Sequence, residues 1–108
     1  MNIITIAYSK GALGHADGAE KGPAAVLTAA RDIGFSETGQ PVVFAETVVP
    51  INPTNVEETH HNIETIARKT RTPFLSLGGD HSVTYSLFKG FASVNKNAGL
   101  LVFDAHPD

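Results

Sequence analysis

The sequence contains no cysteine and no tryptophan, and only one methionine. Without cysteine there is neither a disulfide framework nor a thiolate metal site, so any metal would have to be held by nitrogen and oxygen. A reducing compartment suits such a chain. A basic excess is also missing: eight Lys and Arg stand against eleven Asp and Glu, a formal net charge of −3 with five histidines counted as neutral. That balance offers little counterion release against a phosphate backbone and argues against nucleic acid as a partner. The one dense basic spot, Arg68, Lys69 and Arg71, reads as a cationic last helical turn facing the negative end of the helix dipole. No apolar run approaches membrane-spanning length. Residues 1–7 lack the basic flank of a secretory signal. A cytoplasmic protein with no membrane partner is therefore expected. What remains is an ordinary globular balance, 42% hydrophobic and 18% charged over 108 residues. That suffices for one small domain or part of a larger one.

The pattern along the chain alternates. Residues 3–8 are β-branched and apolar and predict a strand, followed by a glycine-rich loop through Gly22. Pro23 suits a helix start, where a missing N–H costs nothing, and residues 24–32 are good helix formers. Gly34 is placed to end that helix in a left-handed cap. Residues 42–49 predict a second strand bounded by Pro41 and Pro50. Thr54 and Glu57 form a Thr-x-x-Glu capping box ahead of Val56, Ile63, Ile66 and Ala67 at helical spacing. His60 and His61 lie on this helix; adjacent residues point about 100° apart, so a solvated or packing role is expected rather than shared ligation. Pro73 opens a third strand over 74–77, broken by Gly78 and Gly79. Residues 83–92 predict a third helix with Val83, Leu87 and Phe88 or Phe91 buried. Residues 100–103 form a continuous apolar run, as in a parallel strand covered on both faces. Strand and helix thus alternate three times before a fourth strand, which argues for α/β architecture with a parallel sheet.

Ligands of open α/β sheets bind beyond the carboxyl ends of the strands. Two segments fall there: Gly78-Gly79-Asp80-His81-Ser82 after the third strand, and Asp104-Ala105-His106-Pro107-Asp108 after the fourth. The first can be read as a plain turn in which Asp80 or Ser82 caps the next helix. It is not a phosphate loop of the Lys-Ser/Thr type. The second has no structural need for three ionisable groups in five residues, and clustered carboxylates repel unless a cation offsets them. Kept extended, residues 104–108 would hold their outer carboxylates about 13 Å apart, at ~3.3 Å per residue. Paired catalytic metals sit ~3.5–4 Å apart, so the chain is expected to curl after Asp104. Pro107 suits such an irregular segment. Imidazole and carboxylate donors without thiolate favour Mn²⁺ or another hard-to-intermediate divalent ion over zinc.

The joint occurrence of Gly-Gly-Asp-His-Ser and Asp-Ala-His-Pro-Asp resembles the ureohydrolases, the family of arginases and agmatinases. Glu20-Lys21-Gly22-Pro23 is similar to that family's N-terminal segment, and the resemblance covers essentially all of residues 1–108. It implies a three-layer α/β/α fold with an eight-stranded parallel sheet, of which this chain would supply the first four strands. The third and fourth would be separated by the seventh and eighth. It implies two Mn²⁺ ions per active site, with His81 and Asp108 on one, His106 on the other and Asp104 bridging both. Asp104 and Asp108 are the candidate catalytic residues, Asp108 or its neighbours orienting the proton of a metal-bridging hydroxide. That hydroxide would attack the guanidinium carbon of a small-molecule substrate, agmatine or arginine, and release urea. A later Asp-x-Asp pair would complete the site. The chain is therefore expected to be the N-terminal part of one ureohydrolase domain, inactive and unstable by itself, and homo-oligomeric as the full-length protein. The alternatives are a non-catalytic binding or assembly module on the same fold, or a small flavodoxin-like nucleotide binder.

Overall fold

In the computed structural model, residues 1–11 and 18–105 are described. Three parallel strands form one sheet: β1 (Asn2–Ile6), β2 (Ala45–Val48) and β3 (Phe74–Gly78), in the order β2-β1-β3. Three helices alternate with them: α1 (Gly22–Ala30), entered through a short 3-10 turn at Ala19–Lys21, α2 (Val56–Lys69) and α3 (Val83–Val94). This is the expected parallel α/β architecture. Ile3 pairs with Glu46 on one side and Leu75 on the other. Central β1 has both backbone edges satisfied, and its three isoleucines are buried with Thr5.

Alternation along β1 sends its side chains to two faces. Ile4, Ile6 and Tyr8 join Val49, Ile63 of α2 and Val83 of α3 in one core cluster. Ile3 and Thr5 point the other way, and Thr5 donates from Oγ1 to Glu46 Oε1 at 2.9 Å. Helix α1 packs against β1 and β3, and its buried Leu27 stands outside the Ile4–Ile6 cluster. Each buried aliphatic side chain contributes ~1.5–3 kcal/mol of transfer free energy. Helices α2 and α3 meet at Gly90, where a Cβ would stand 2.3 Å from the Glu64 carbonyl oxygen. Only hydrogen lets the helices approach this closely. His60 packs here too: its Nδ1 shares a 2.8 Å hydrogen bond with Ser86 Oγ, and its ring meets Tyr8 edge-on.

Several local expectations are corrected. Gly34 does not cap α1 in the left-handed region; the helix unwinds through Asp32 N–H to Ala29 C=O and Ile33 N–H to Ala30 C=O. Positive φ falls instead at Gly39 (75°), inside a turn closed by an antiparallel bridge between Phe35 and Pro41. Val42 donates to Gly34 in that turn, so β2 begins at Ala45 rather than residue 42. Helix α2 is capped by Asn55, whose side chain accepts from Glu58 N–H at 3.0 Å. The Thr54 hydroxyl turns back to Asn52 Oδ1 instead. Asn is at least as good an N-cap as Thr, which moves the start one residue on. Acids Glu57 and Glu58 open α2, and Arg68 and Lys69 close it, each complementing the dipole end it faces.

The largest departure concerns residues 100–103. They join no ladder among the described residues, and Leu101 and Phe103 are 78% and 92% exposed. An apolar run becomes a strand only beside a neighbour that completes its hydrogen bonds. The outer edge of β3 does not pair with this one.

Candidate metal centre

Strand β3 ends at Gly78 and α3 begins at Val83, so the first motif is the turn leaving the carboxyl edge of the sheet. Its backbone is clamped from below. The Asp80 N–H donates to Tyr8 C=O at 3.1 Å, and a Cβ on Gly79 would lie 2.2 Å from that same carbonyl oxygen. No larger residue would let this turn sit against the end of β1.

Asp80 holds the turn rather than facing outward. Its Oδ2 accepts from Gly11 N–H at 2.9 Å, and its Oδ1 accepts from Ser82 N–H at 3.0 Å and Ser82 Oγ at 2.5 Å. One carboxylate thus ties the loop after β1 to the loop after β3. It also takes the amides of Gly11 and Ser82, which a nucleotide phosphate would need, and sets a negative charge where that phosphate would lie. Tyr8 lies beneath, its hydroxyl buried with no hydrogen-bond partner among the described residues. Burial first, and then the Asp80 charge, push this phenol above its ordinary pKa, so it stays neutral.

With Asp80 turned inward, His81 is the group the motif presents. Its Nε2 lies 3.3 Å from Asp104 Oδ2, with side chains 46% and 27% exposed. The other ring nitrogen, Nδ1, is 3.0 Å from Thr84 Oγ1 on the first turn of α3. The His81 carbonyl also accepts the Thr84 N–H at 3.1 Å. An imidazole nitrogen and a carboxylate oxygen from two separate segments therefore converge at the carboxyl edge of the sheet. The backbone bends at Ala105, directly after Asp104, where the chain was expected to leave an extended path. His106 and Asp108, the other two ligands expected from sequence, lie outside the described residues, as does Pro107. Among the described residues no group of three or more His, Cys, Asp or Glu side chains is placed to hold a metal ion.

The donor pair itself suits a divalent cation. Two donors each ~2.1 Å from one ion and at right angles stand about 3 Å apart, close to the separation of His81 Nε2 and Asp104 Oδ2. Nitrogen and oxygen together, with no thiolate in the sequence, match an ion of intermediate hardness. Sequence reasoning named His81 and Asp104, which the structure brings together, but not Thr84 or Gly11. Thr84 carried a faint signal, a hydroxyl three residues after a candidate ligand at a helix start, where i and i+3 share a face. Gly11 carried none, because its role is an amide reaching another loop.

A search of curated proteins and a search of solved structures each returned no match. A scan against protein-family models matched the arginase family over residues 1–108.

Proposed function

Because the chain belongs to the arginase family along residues 1–108, we propose that it carries the first half of a binuclear manganese site. The reaction is hydrolysis of a linear amidine, with the guanidinium group of agmatine or arginine released as urea. The family assignment supports a hydrolase of the ureohydrolase type. The observation that carries the site is the 3.3 Å approach of His81 Nε2 to Asp104 Oδ2, because it joins the two motifs at one point. His81, Asp104, His106 and Asp108 are the residues that would hold the ions. When bound, a manganese pair lowers the pKa of a water and so supplies a hydroxide-strength nucleophile at neutral pH.

The chain's own residues do the positioning. Asp80 fixes the turn by accepting from Gly11 and Ser82, which sets the starting point of the His81 side chain. Asp104 brings a carboxylate beside the imidazole, and its negative charge favours a cation there and a guanidinium nearby. Asp108 is assigned the orientation of the nucleophile's proton. Agmatine and arginine differ by an α-carboxylate, so the choice between them rests on groups that recognise or repel that charge.

The test is urea release by the full-length protein, with the rest of the ureohydrolase domain present, from agmatine and from arginine, before and after chelation and manganese repletion. Manganese-dependent release from one substrate is expected. His81→Ala and Asp104→Ala should each weaken manganese binding by ~100-fold or more, at or above the 10–100-fold cost of losing only an outer partner. Urea release that ignores chelation, or survives both substitutions at the original rate, would sink the reading. Manganese binding without turnover of either substrate would assign the chain to a non-catalytic module on the same fold.

A further inference from the structure

A glycine is required either by a backbone that other residues rarely adopt or by a space too small for a side chain. Gly11, in the loop after β1, is not of the first kind: among the described residues positive φ occurs only at Gly18 and Gly39. It is of the second. A Cβ there would stand 2.0 Å from Ser82 Oγ and 2.3 Å from Ser82 Cβ. Rotating the hydroxyl away would clear the first clash but not the second. The serine side chain therefore fills the room that Gly11 leaves, and from there its Oγ donates to Asp80 Oδ1. The Gly11 N–H donates to the other carboxylate oxygen, Asp80 Oδ2, at 2.9 Å, and the Tyr8 carbonyl takes the Asp80 N–H. Residues 80 and 82 are thus both seated against the loop after β1, and His81 is the residue between them.

We propose that Gly11 is a positioning residue of the metal site: it supplies no ligand, but its amide and its missing side chain set the backbone from which His81 projects. The inference rests on the function proposed above and deepens it, by adding the loop after β1 to the parts on which the site depends. A shift of the turn at residues 80–82 carries the His81 side chain with it, whichever way the imidazole is turned. Metal ligands must lie within about 0.2 Å of their bond lengths, so a displacement that the turn could absorb is still felt by an ion. An added methyl at position 11 would push on Ser82 and strain the hydrogen bonds that Gly11 and Ser82 give Asp80.

The full-length protein, with the rest of the ureohydrolase domain present, is compared as wild type, Gly11→Ala, Ser82→Gly and the double variant. Ser82→Gly removes both atoms that a Cβ at position 11 would meet, and glycine is tolerated at the start of a helix. Manganese affinity is read by calorimetry. Amide hydrogen exchange of the cation-free protein is read over residues 76–84, with α2, residues 56–69, as the control for folding. Gly11→Ala is expected to weaken manganese binding by ~10-fold or more, as loss of an outer partner does. It should also speed exchange over residues 76–84 while α2 is unchanged. The double variant should bind manganese as well as Ser82→Gly does, a coupling that independent sites do not show. Should Gly11→Ala not fold, the double variant must fold and bind like Ser82→Gly. Wild-type affinity in Gly11→Ala, with or without faster exchange, would overturn the proposal, and so would a double variant no better than Gly11→Ala. If the wild type binds no manganese, yet exchange over residues 76–84 rises in Gly11→Ala and returns in the double variant to the Ser82→Gly level, the turn is positioned as proposed and the metal reading falls.

Discussion

Glu64 on α2 and Lys89 on α3 meet with Oε2 and Nζ 2.9 Å apart. The hydrogen bond from Lys89 holds the Glu64 carboxyl below its usual pKa, and the same contact raises that of Lys89. The signs oppose. A depressed carboxylate stabilises the fold above its unfolded pKa and loses that contribution as pH falls through the folded value. A raised ammonium stabilises below its unfolded pKa and loses it as pH rises through the folded one. The stability difference between wild type and Glu64→Gln should therefore be flat from about pH 5 to 9 and shrink below about pH 4. Denaturant midpoints across that range test this; a difference that grew on acidification would contradict it. Solvent screening keeps the effect small, because both groups face water. Pairs of this kind, 25 residues apart, were not legible in the sequence. Their roles depend on which rotamer meets which neighbour across tens of residues. Asp104 was legible because its segment clusters carboxylates that repel without a cation; His81 was legible only through the joint motif, since its own segment reads equally as a plain turn.

At the scale of elements, helices α2 and α3 set a sharper constraint. Gly90 sits mid-helix, where alanine would be favoured by ~1 kcal/mol on propensity alone. Against that stands a Cβ 2.3 Å from the Glu64 carbonyl oxygen and 3.0 Å from Ala67 Cβ. Backbone cannot swing aside as a flexible side chain can, and overpacking of this sort costs ~1–3 kcal/mol or more. The clash wins: Gly90→Ala should destabilise by ~1–2 kcal/mol net, read as a lower urea midpoint at unchanged slope. A raised midpoint would show that the helices part without cost. The elements themselves were largely legible. Hydrophobic spacing located three strands and three helices because those signals are local. Boundaries failed where two local solutions compete, as when Asn55 displaced Thr54 as the cap. They failed also where a turn absorbed residues, as when the Phe35–Pro41 bridge shortened β2. The run at residues 100–103 was read as a fourth strand and forms no ladder among the described residues; the resemblance had set two further strands between it and β3, and strand-forming residues need such a neighbour to pair.

Across the whole molecule the apolar surface is unevenly satisfied. The β1 isoleucines are sealed, whereas all four residues of edge strand β2 are exposed. Beyond β3, an open groove runs past Pro73, Phe74, Phe88, Phe91, Leu100 and Leu101. Leu100, Leu101, Val102 and Phe103 stand in a row with 55%, 78%, 49% and 92% of their surfaces open. No charge interrupts that row before Asp104. Unpaired edges beside contiguous apolar side chains favour strand-to-strand association. The 108-residue polypeptide should therefore gain mass with concentration in sedimentation velocity and bind a hydrophobic dye while retaining helical signal. Leu101→Lys should reduce both effects. At a side chain this exposed it should change intrinsic stability by no more than about 0.5 kcal/mol, so the variant separates association from unfolding. A wild-type polypeptide that stays monomeric over the same concentrations, binds no dye and melts in one sharp transition would show that the row is masked in solution. The burial pattern around residues 100–103 would then need another explanation.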